Sequence, residues 1–316
     1  MRRRRPSERG VALLAAMIGV GLMTIVVMDF ATSAAMGHLT AANVANELRA
    51  YYLARSGVNV GVAVLAQDAR DDSKGEDPID TLSDVWAMPV PPIAVEGGTV
   101  VMSIVDDARK LSVNRIINPS DGSMDVEFVQ TLERLFNIID VSPEVLAAII
   151  DWVDPNDVPS PGGAESSYYL GLVPPYAARN GPMPTIGDLR MVRGVDAATF
   201  FKLRQFLTAA PELRVNANTA PPEVLASLLP ELASNQGAVK EIIQARQLRP
   251  FAKVTDVANL PALAAVGTQL TALLTTRGDY FTITAMGSFE GTRKMVYATF
   301  RRQEGGGAAL ASWQQN

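Results

Sequence analysis

The chain has 316 residues, enough for one large domain or two smaller ones beside a membrane helix. It carries 28 Lys and Arg against 33 Asp and Glu, a net charge of −5, and has one His and no Cys, which excludes disulfides and thiolate metal sites. Arg2, Arg3, Arg4, Arg5 and Arg9 gather at the start, so the remainder is more acidic than the total and nonspecific nucleic-acid binding is disfavoured.

The basic start runs through Glu8, Arg9 and Gly10 into Val11 to Met28, which holds no charge. Such a helix, rising about 1.5 Å per residue, crosses a hydrocarbon core of roughly 30 Å. Arginines before it hold the amino end in the cytoplasm. A secretory signal peptide has a shorter apolar core followed by its cleavage site, whereas here Gly10 and the charges precede the apolar run. The arrangement resembles the type IV prepilin class; a plain signal anchor with a basic flank is the alternative. The resemblance implies that a prepilin peptidase cuts after Gly10 and methylates Val11. It also implies a single-pass inner-membrane protein with its carboxyl-terminal domain in the periplasm. The class usually has glutamate at the fifth mature position, where this chain has Ala15. The K-type minor pseudopilins of the type II secretion system share that departure.

No proline interrupts the chain from Val11 until Pro78, and Val44, Tyr51, Val58 and Leu65 recur every seven residues. One helix from Val11 to Gln67, about 85 Å long, is expected. Residues 11–28 would span the membrane and the second half would pack on a globular domain; a break near Gly37 is the alternative. Val44, Leu48, Tyr51, Val58 and Val62 form the candidate face toward partner helices, with Arg55 interrupting the stripe. Asp68 to Pro92 is acidic and proline-containing, as in a surface connection. Gly98 to Val105 reads as a strand after a Gly-Gly turn. Near the other end Tyr280 to Phe289 and Lys294 to Phe300 alternate around Glu290-Gly291, as a hairpin does.

Between them lies a helical interval. Ser142-Pro143-Glu144 is a helix start with an N-cap serine and proline at the first position, and Thr219-Ala220-Pro221-Pro222-Glu223 repeats it. The expected class is α+β: a long amino-terminal helix on a small antiparallel sheet, with a large all-α insertion. The expected divisions are 1–10 leader, 11–67 helix, 68–118 and 278–303 α/β domain, 119–277 insertion and 304–316 disordered tail, the last from Gly305-Gly306-Gly307 onward.

Asp151-Trp152-Val153-Asp154-Pro155-Asn156-Asp157 follows the helix that begins at Ser142. Carboxylates at a helix carboxyl end oppose its dipole, and a cation would relieve the conflict. Gly162-Gly163-Ala164-Glu165 can bring another carboxylate back to the same place. With no Cys or His nearby, such oxygen ligands suit Ca²⁺ rather than zinc, although a solvated acidic loop fits the spacing equally well. The stretch DWVDPNDVPSPGGAESSYYL, with Pro174-Pro175-Tyr176 and Leu189-Arg190-Met191-Val192-Arg193-Gly194-Val195, resembles the corresponding stretch of the K-type minor pseudopilins, also called general secretion pathway protein K. That resemblance implies structural Ca²⁺ in the insertion, with Asp151, Asp154, Asn156, Asp157 and Glu165 as candidate ligands. It further implies a place at the pseudopilus tip, where the protein starts assembly for export across the outer membrane. The implied partners are the I and J minor pseudopilins, with the secretin or exported substrate left open.

Arg214 to Ala220, Ile242 to Arg246, Phe251 and Val254 to Val257 resemble a helix-hairpin-helix module, which in many proteins grips DNA. Asn259-Leu260-Pro261-Ala262-Leu263 lacks the glycine of such a hairpin, and five bases balance five acids from Pro211 to Leu263. A packing unit is therefore expected rather than a DNA reader, and a membrane-anchored DNA-uptake protein is the competing function. His38 falls in the long helix, and no Gly-rich phosphate loop or G-x-S-x-G elbow is present. No enzymatic activity is expected.

Overall fold

The computed structural model describes residues 6–72, 78–303 and 307–315. Arg2 to Arg5 of the basic leader lie outside the described residues, as do 304–306 of the glycine-rich stretch.

Helix α1, Pro6–Asp72, is continuous through Gly37, so the expectation of one long helix holds. From Gly10 to Asn43 every residue is exposed; packing begins at Ala45 and Asn46 and becomes full burial at Ala50. The buried stripe of α1 is Ala50, Ala54, Gly57, Val58, Gly61, Leu65 and Ala69. Its small members let helix and sheet approach closely. A Cβ at Gly57 would lie 2.7 Å from Val100, and one at Gly61 would lie 2.9 Å from Ile283. Across the gap, a Cβ on Gly287 would collide with the α1 backbone at Ala50 and Ala54.

Five antiparallel strands form the sheet, in the order β1-β2-β7-β8-β9. Strand β1 is Ile93–Val95 and β2 is Gly98–Asp106. β7 is Tyr280–Phe289, β8 is Thr292–Arg302 and β9 is Ala308–Gln315. β2 and β7 are distant in sequence yet pair along their length, with Val100 opposite Gly287 and Ile104 opposite Ile283. The alternation along β7 turns Phe281, Ile283 and Ala285 into a core shared with Tyr51, Ala54, Val58 and Val62 of α1. Thr282 and Thr284 occupy the opposite face.

Residues 308–315 correct the expectation of a disordered tail. Trp313 pairs with Ala298, and Ala308 and Trp313 pack against the sheet core. β9 begins at Ala308, six residues after β8 ends at Arg302, and runs antiparallel to it.

The insertion leaves the sheet after Asp106. Its regular elements are β3 Leu111–Ser112, α2 Val126–Ile138, α3 Pro143–Val153, α4 Ser166–Tyr169, α5 Ala197–Leu203, β4 Leu207–Thr208, β5 Val215–Asn216, α6 Pro222–Ser227, α7 Pro230–Ser234, α8 Gln236–Leu248, α9 Val254–Ala258, α10 Gly267–Leu273 and β6 Leu274–Thr275. Two short parallel pairs, β3 with β4 and β5 with β6, clasp a mainly helical body. Its hydrophobic core runs from Leu111 to Leu274, so the insertion starts before the expected boundary at 119. Leu111, Val113 and Ile116 pack there because β3 pairs with β4 instead of extending the sheet.

The Ser142 start is confirmed: its Oγ accepts from the amide of Glu144 at 3.3 Å, with Pro143 first in the helix. The second start differs. α6 begins after Pro221 with no side-chain cap, and Thr219 instead donates to Asp106 at 2.7 Å.

That bond belongs to a polar joint between sheet and insertion. Asp106 also accepts from Asn216 Nδ2 and the Ala108 amide, each at 2.9 Å. Glu212 accepts from the amides of Asp279 at 2.8 Å and Tyr280 at 2.7 Å. Arg302 reaches both Asp80 and Asp68 from β8. Buried carboxylates are costly unless hydrogen-bonded, and these are. The joint fixes the insertion on the sheet.

Candidate functional site

α3 delivers Asp151 in its last turn and ends at Asp154, whose extended backbone caps it. Pro155 and Pro159 prevent the helix from continuing, and the chain turns back through Gly162, at φ +80°. The peptide of Gly163 lies directly on the Asp151 carboxylate, where a Cβ would overlap it. Two residues later Glu165 enters the same space. Asp151, Asp154 and Glu165 are respectively 0%, 4% and 1% exposed, and one oxygen from each lies within 4.8 Å of the others. The sequence expectation that the glycines bring Glu165 back to the aspartates is met by this geometry.

These groups are unequally satisfied. Asp151 accepts from the Ser160 amide at 3.1 Å and Asp154 from the Asn156 amide at 3.2 Å. Both carboxylate oxygens of Glu165 are buried without a hydrogen-bond partner. Burial, followed by the charges of Asp154, Asp151 and Asp157, pushes the Glu165 carboxyl up to about 7. Burial and then Asp151 also raise Asp154, against its amide bond. Three buried carboxylates with no cationic side chain bonded to them among the described residues form an electrostatically incomplete group.

The other two expected ligands stand at the edge of this cluster. Asp157 is exposed and accepts from the Ser166 amide at 3.2 Å; the Ser166 hydroxyl first, and then this amide, hold its carboxyl below the usual range. Asn156 is exposed, with its Oδ1 accepting from the Val158 amide at 2.8 Å. Asn180 is a residue the sequence reading missed. Its Nδ2 donates to the Asn156 carbonyl at 2.8 Å, while its Oδ1 is buried and unpartnered. Local spacing carries no signal for a residue so far along the chain.

Aromatic packing holds the loop. Trp152 meets Tyr169 edge-on with centroids 5.0 Å apart, and Tyr169 stacks on Tyr176 at 5.3 Å. Arg193 donates from its side chain to the Gly162 carbonyl at 2.6 Å and from its amide to the Tyr169 hydroxyl at 3.1 Å. The Pro174-Pro175-Tyr176 and Leu189 to Val195 stretches thus buttress the acidic loop.

The second candidate surface is α1. It is long and apolar enough to cross a membrane, and its apolar window is wholly exposed. The expected partner face divides: Val58 is buried, Tyr51 and Val62 pack on the sheet core, and Val44 and Leu48 each remain 53% exposed. Gly10 and Val11 lie in its exposed first part. His38 lies in the exposed stretch as well.

The helix-hairpin-helix region uses its polar groups internally. Arg246 donates to the carbonyls of Ala217 and Ala220, both at 2.8 Å. Asn218 bonds the Phe251 backbone in both directions. In the hairpin place, the Ala262 amide donates to Glu241 at 3.0 Å, so a carboxylate occupies the position a DNA phosphate would need.

Two family models, both described as type II secretion system (T2SS), protein K, match residues 109–212 and 215–277, together more than half of the chain. Type II secretion system protein K of Pseudomonas aeruginosa is 26% identical over 96% of this chain and 91% of its own length. The protein K of Klebsiella pneumoniae is 28% identical over 81% of this chain and 80% of its own. A chain in the crystal structure of the GspK–GspI–GspJ complex from the enterotoxigenic Escherichia coli type 2 secretion system superposes with a TM-score of 0.72. It is 19% identical, and the match covers 88% of this chain and 99% of that one. The chain belongs to the type II secretion system protein K family.

Proposed function

From that membership we infer that the chain works as a minor pseudopilin at the tip of the periplasmic pseudopilus, where it starts assembly for protein export across the outer membrane. The observation that carries this reading is the division of α1, with an apolar first part exposed through Val44 and a second part packed on the sheet. Lipid covers such a surface before assembly, and neighbouring pseudopilin helices cover it afterwards. The solved complex that resembles this chain holds GspK with GspI and GspJ, which supports I and J minor pseudopilins as the partners.

The tip location also agrees with Ala15. If the usual glutamate pairs with the amino end of the subunit above, a subunit with nothing above it can dispense with that residue. The bulk of the insertion would hinder stacking in a filament shaft. The protein is inserted in the inner membrane with its folded part in the periplasm. Prepilin peptidase cuts after Gly10 and methylates Val11. Mass analysis of the chain coexpressed with the peptidase tests this: loss of Met1 to Gly10, blocked by Gly10→Val, is expected, and mature protein still beginning at Met1 would contradict it. The role is structural rather than catalytic, and the secretin and exported substrate are further contacts.

The acidic loop fits Ca²⁺. At its usual bonds of about 2.3–2.6 Å, two oxygens on that ion can stand at most about 4.6–5.2 Å apart, and the Asp151, Asp154 and Glu165 oxygens lie within 4.8 Å of one another. The unpartnered Glu165 oxygens are the group most in need of a cation. Asp151, Asp154 and Glu165 would hold it, with Asp157 and Asn156 at the rim. Bound there, Ca²⁺ supplies charge neutralisation and a crosslink between the end of α3 and the loop that leads to α4. Competing DNA binding has no support from the hairpin, and an electrophoretic shift assay with the full chain would test it.

A further inference from the structure

On the side of the sheet away from α1, a cleft of about 740 Å³ opens between the strands and the insertion. Its floor is the hydroxyl-bearing face of the sheet, including Thr282, Thr284 and Thr299. Its opposite wall comes from α5 and the turns flanking it. Four cationic side chains line it, Arg109, Lys110, Arg190 and Arg204, in a protein whose net charge is −5. Asp107 is the one acidic residue in the lining, and its carboxylate is already engaged by Thr208 at 2.9 Å and Thr282 at 2.6 Å.

None of the four cations makes an ion pair within salt-bridge distance among the described residues. Arg190 and Arg204 lie over the same Phe200 ring, 4.3 Å and 5.9 Å from its centroid, and Arg204 also lies 5.1 Å from that of Tyr297. Arg204 also donates from Nη1 to the Tyr297 hydroxyl at 3.4 Å. The ring contacts restrain both guanidinium groups, whose remaining N–H donors are open to a ligand. The Nε of Arg109 is buried without an acceptor. Lys110 is half-buried and makes no side-chain hydrogen bond among the described residues. Burial lowers its pKa and the charges of Arg109 and Arg204 add to that, only partly offset by Asp107. With Asp107 and Asp106 offsetting only part of it, this partly desolvated positive cluster attracts anionic oxygen.

We propose that this cleft binds an acidic polypeptide segment, with Lys110, Arg190 and Arg204 engaging its carboxylates and the threonine hydroxyls of β7 and β8 supporting them. The volume is more than one small anion fills, lying in the range of about 300–1,000 Å³ typical of pockets for multi-atom ligands, and four lining cations can meet several carboxylates carried on one chain. Tyr280 and Tyr297, both partly exposed, line the cleft beside the cations and can take the aliphatic parts of such a segment. Thr284 has an uncommitted hydroxyl among the described residues. This proposal does not depend on calcium or on the tip location.

Fluorescence anisotropy of the full chain in detergent tests it, with a labelled peptide of repeated Glu-Gly-Ser units, its Gln-Gly-Ser counterpart and inorganic phosphate as probes. Saturable binding of the Glu peptide is expected, at least about tenfold weaker for Lys110→Gln and for Arg190→Gln. Lys240→Gln with Arg249→Gln, which removes exposed charges outside the cleft, should leave it unchanged. In the wild type, the Glu peptide should protect Lys110 from acetylation, as read by mass spectrometry, which keeps the test independent of variant folding. Equal binding of the Gln peptide, equal loss from the control variant, or no protection of Lys110 would overturn the proposal. Phosphate binding at Lys110 with no peptide binding would overturn it too, reducing the cleft to a small-anion site.

Discussion

Gly163 lies so close to the Asp151 carboxylate that the loop has no room for a side chain at that position. The contact lets the chain pass over the end of α3 and return Glu165 to the aspartates. Gly163→Ala should push the carboxylate aside, destabilise the insertion by about 1–3 kcal/mol as overpacking does, and weaken calcium binding. Thermal melting and calorimetry of the full chain in detergent check both. Unchanged calcium binding in this variant would show that the close approach does not shape the site.

Calcium should raise the melting temperature and chelator should lower it. A ligand specific for the folded state adds about 2.7 kcal/mol at a hundredfold excess over Kd. Mg²⁺ should do less, because it demands stricter octahedral geometry and retains its water. Glu165→Gln separates the ion from the loop itself. At pH 8 with chelator, the variant should melt higher than the wild type by about 2–4 °C, since it removes a buried, unpartnered charge. With calcium, it should lose most of the gain. Melting that ignores calcium and chelator alike would mean the loop works without an ion.

The polar joint predicts a pH dependence. Burial, with the charges of Asp106 and Asp279 adding to it, raises the Glu212 carboxyl to about 8 despite its two amide bonds. Burial and then Asp80 raise Asp106 to about 7. Both native values exceed the ordinary ones of 4.5 and 3.8, so the folded chain holds protons that the unfolded chain releases. Their contribution is complete below about pH 4 and is lost as pH rises toward 7 and 8. Each group gives a slope of up to about 1.4 kcal/mol per pH unit in that window. Denaturant unfolding with chelator present should therefore show stability falling between about pH 4 and pH 8, the Asp106 part ending near about 7 and the Glu212 part near about 8. Glu212→Gln should flatten the slope while retaining both amide bonds, because Oε1 accepts them both. An equally steep profile in that variant would place the titration elsewhere.

On α1, Val44→Glu with Leu48→Glu should leave melting unchanged, because both residues lie outside the protein's own cores. The same pair should weaken copurification with the I and J pseudopilins, because charge in a packed helix seam is costly. Val58→Glu should instead unfold the sheet domain, since Val58 is 1% exposed. If Val44→Glu with Leu48→Glu copurifies normally, the partner seam lies on another face of the helix.

These two outcomes on one helix show where periodicity stops being informative. The heptad of large apolar residues located the helix and Val58. The close sheet contact is made by Ala50, Ala54, Gly57 and Gly61, which a scan for bulk overlooks because their value lies in the space they leave. Strand alternation identified β2, β7 and β8, each bounded by turn residues. It failed at β9, where Gly305 to Gly307 and a run of small residues mask a pattern that only Trp313 completes. The acidic loop was legible because its aspartates, prolines and glycines sit within one short segment. Asn180 joins it from outside that segment, and Thr219 serves the distant Asp106 rather than its own helix. Long-range partners leave no local spacing to read.

The most direct test of the tip-pseudopilin account is coexpression of the full chain with I- and J-type minor pseudopilins, followed by detergent extraction and size-exclusion chromatography with mass analysis. The account predicts one species containing all three proteins, reduced by Val44→Glu with Leu48→Glu. A chain that folds normally yet elutes without either partner would contradict it.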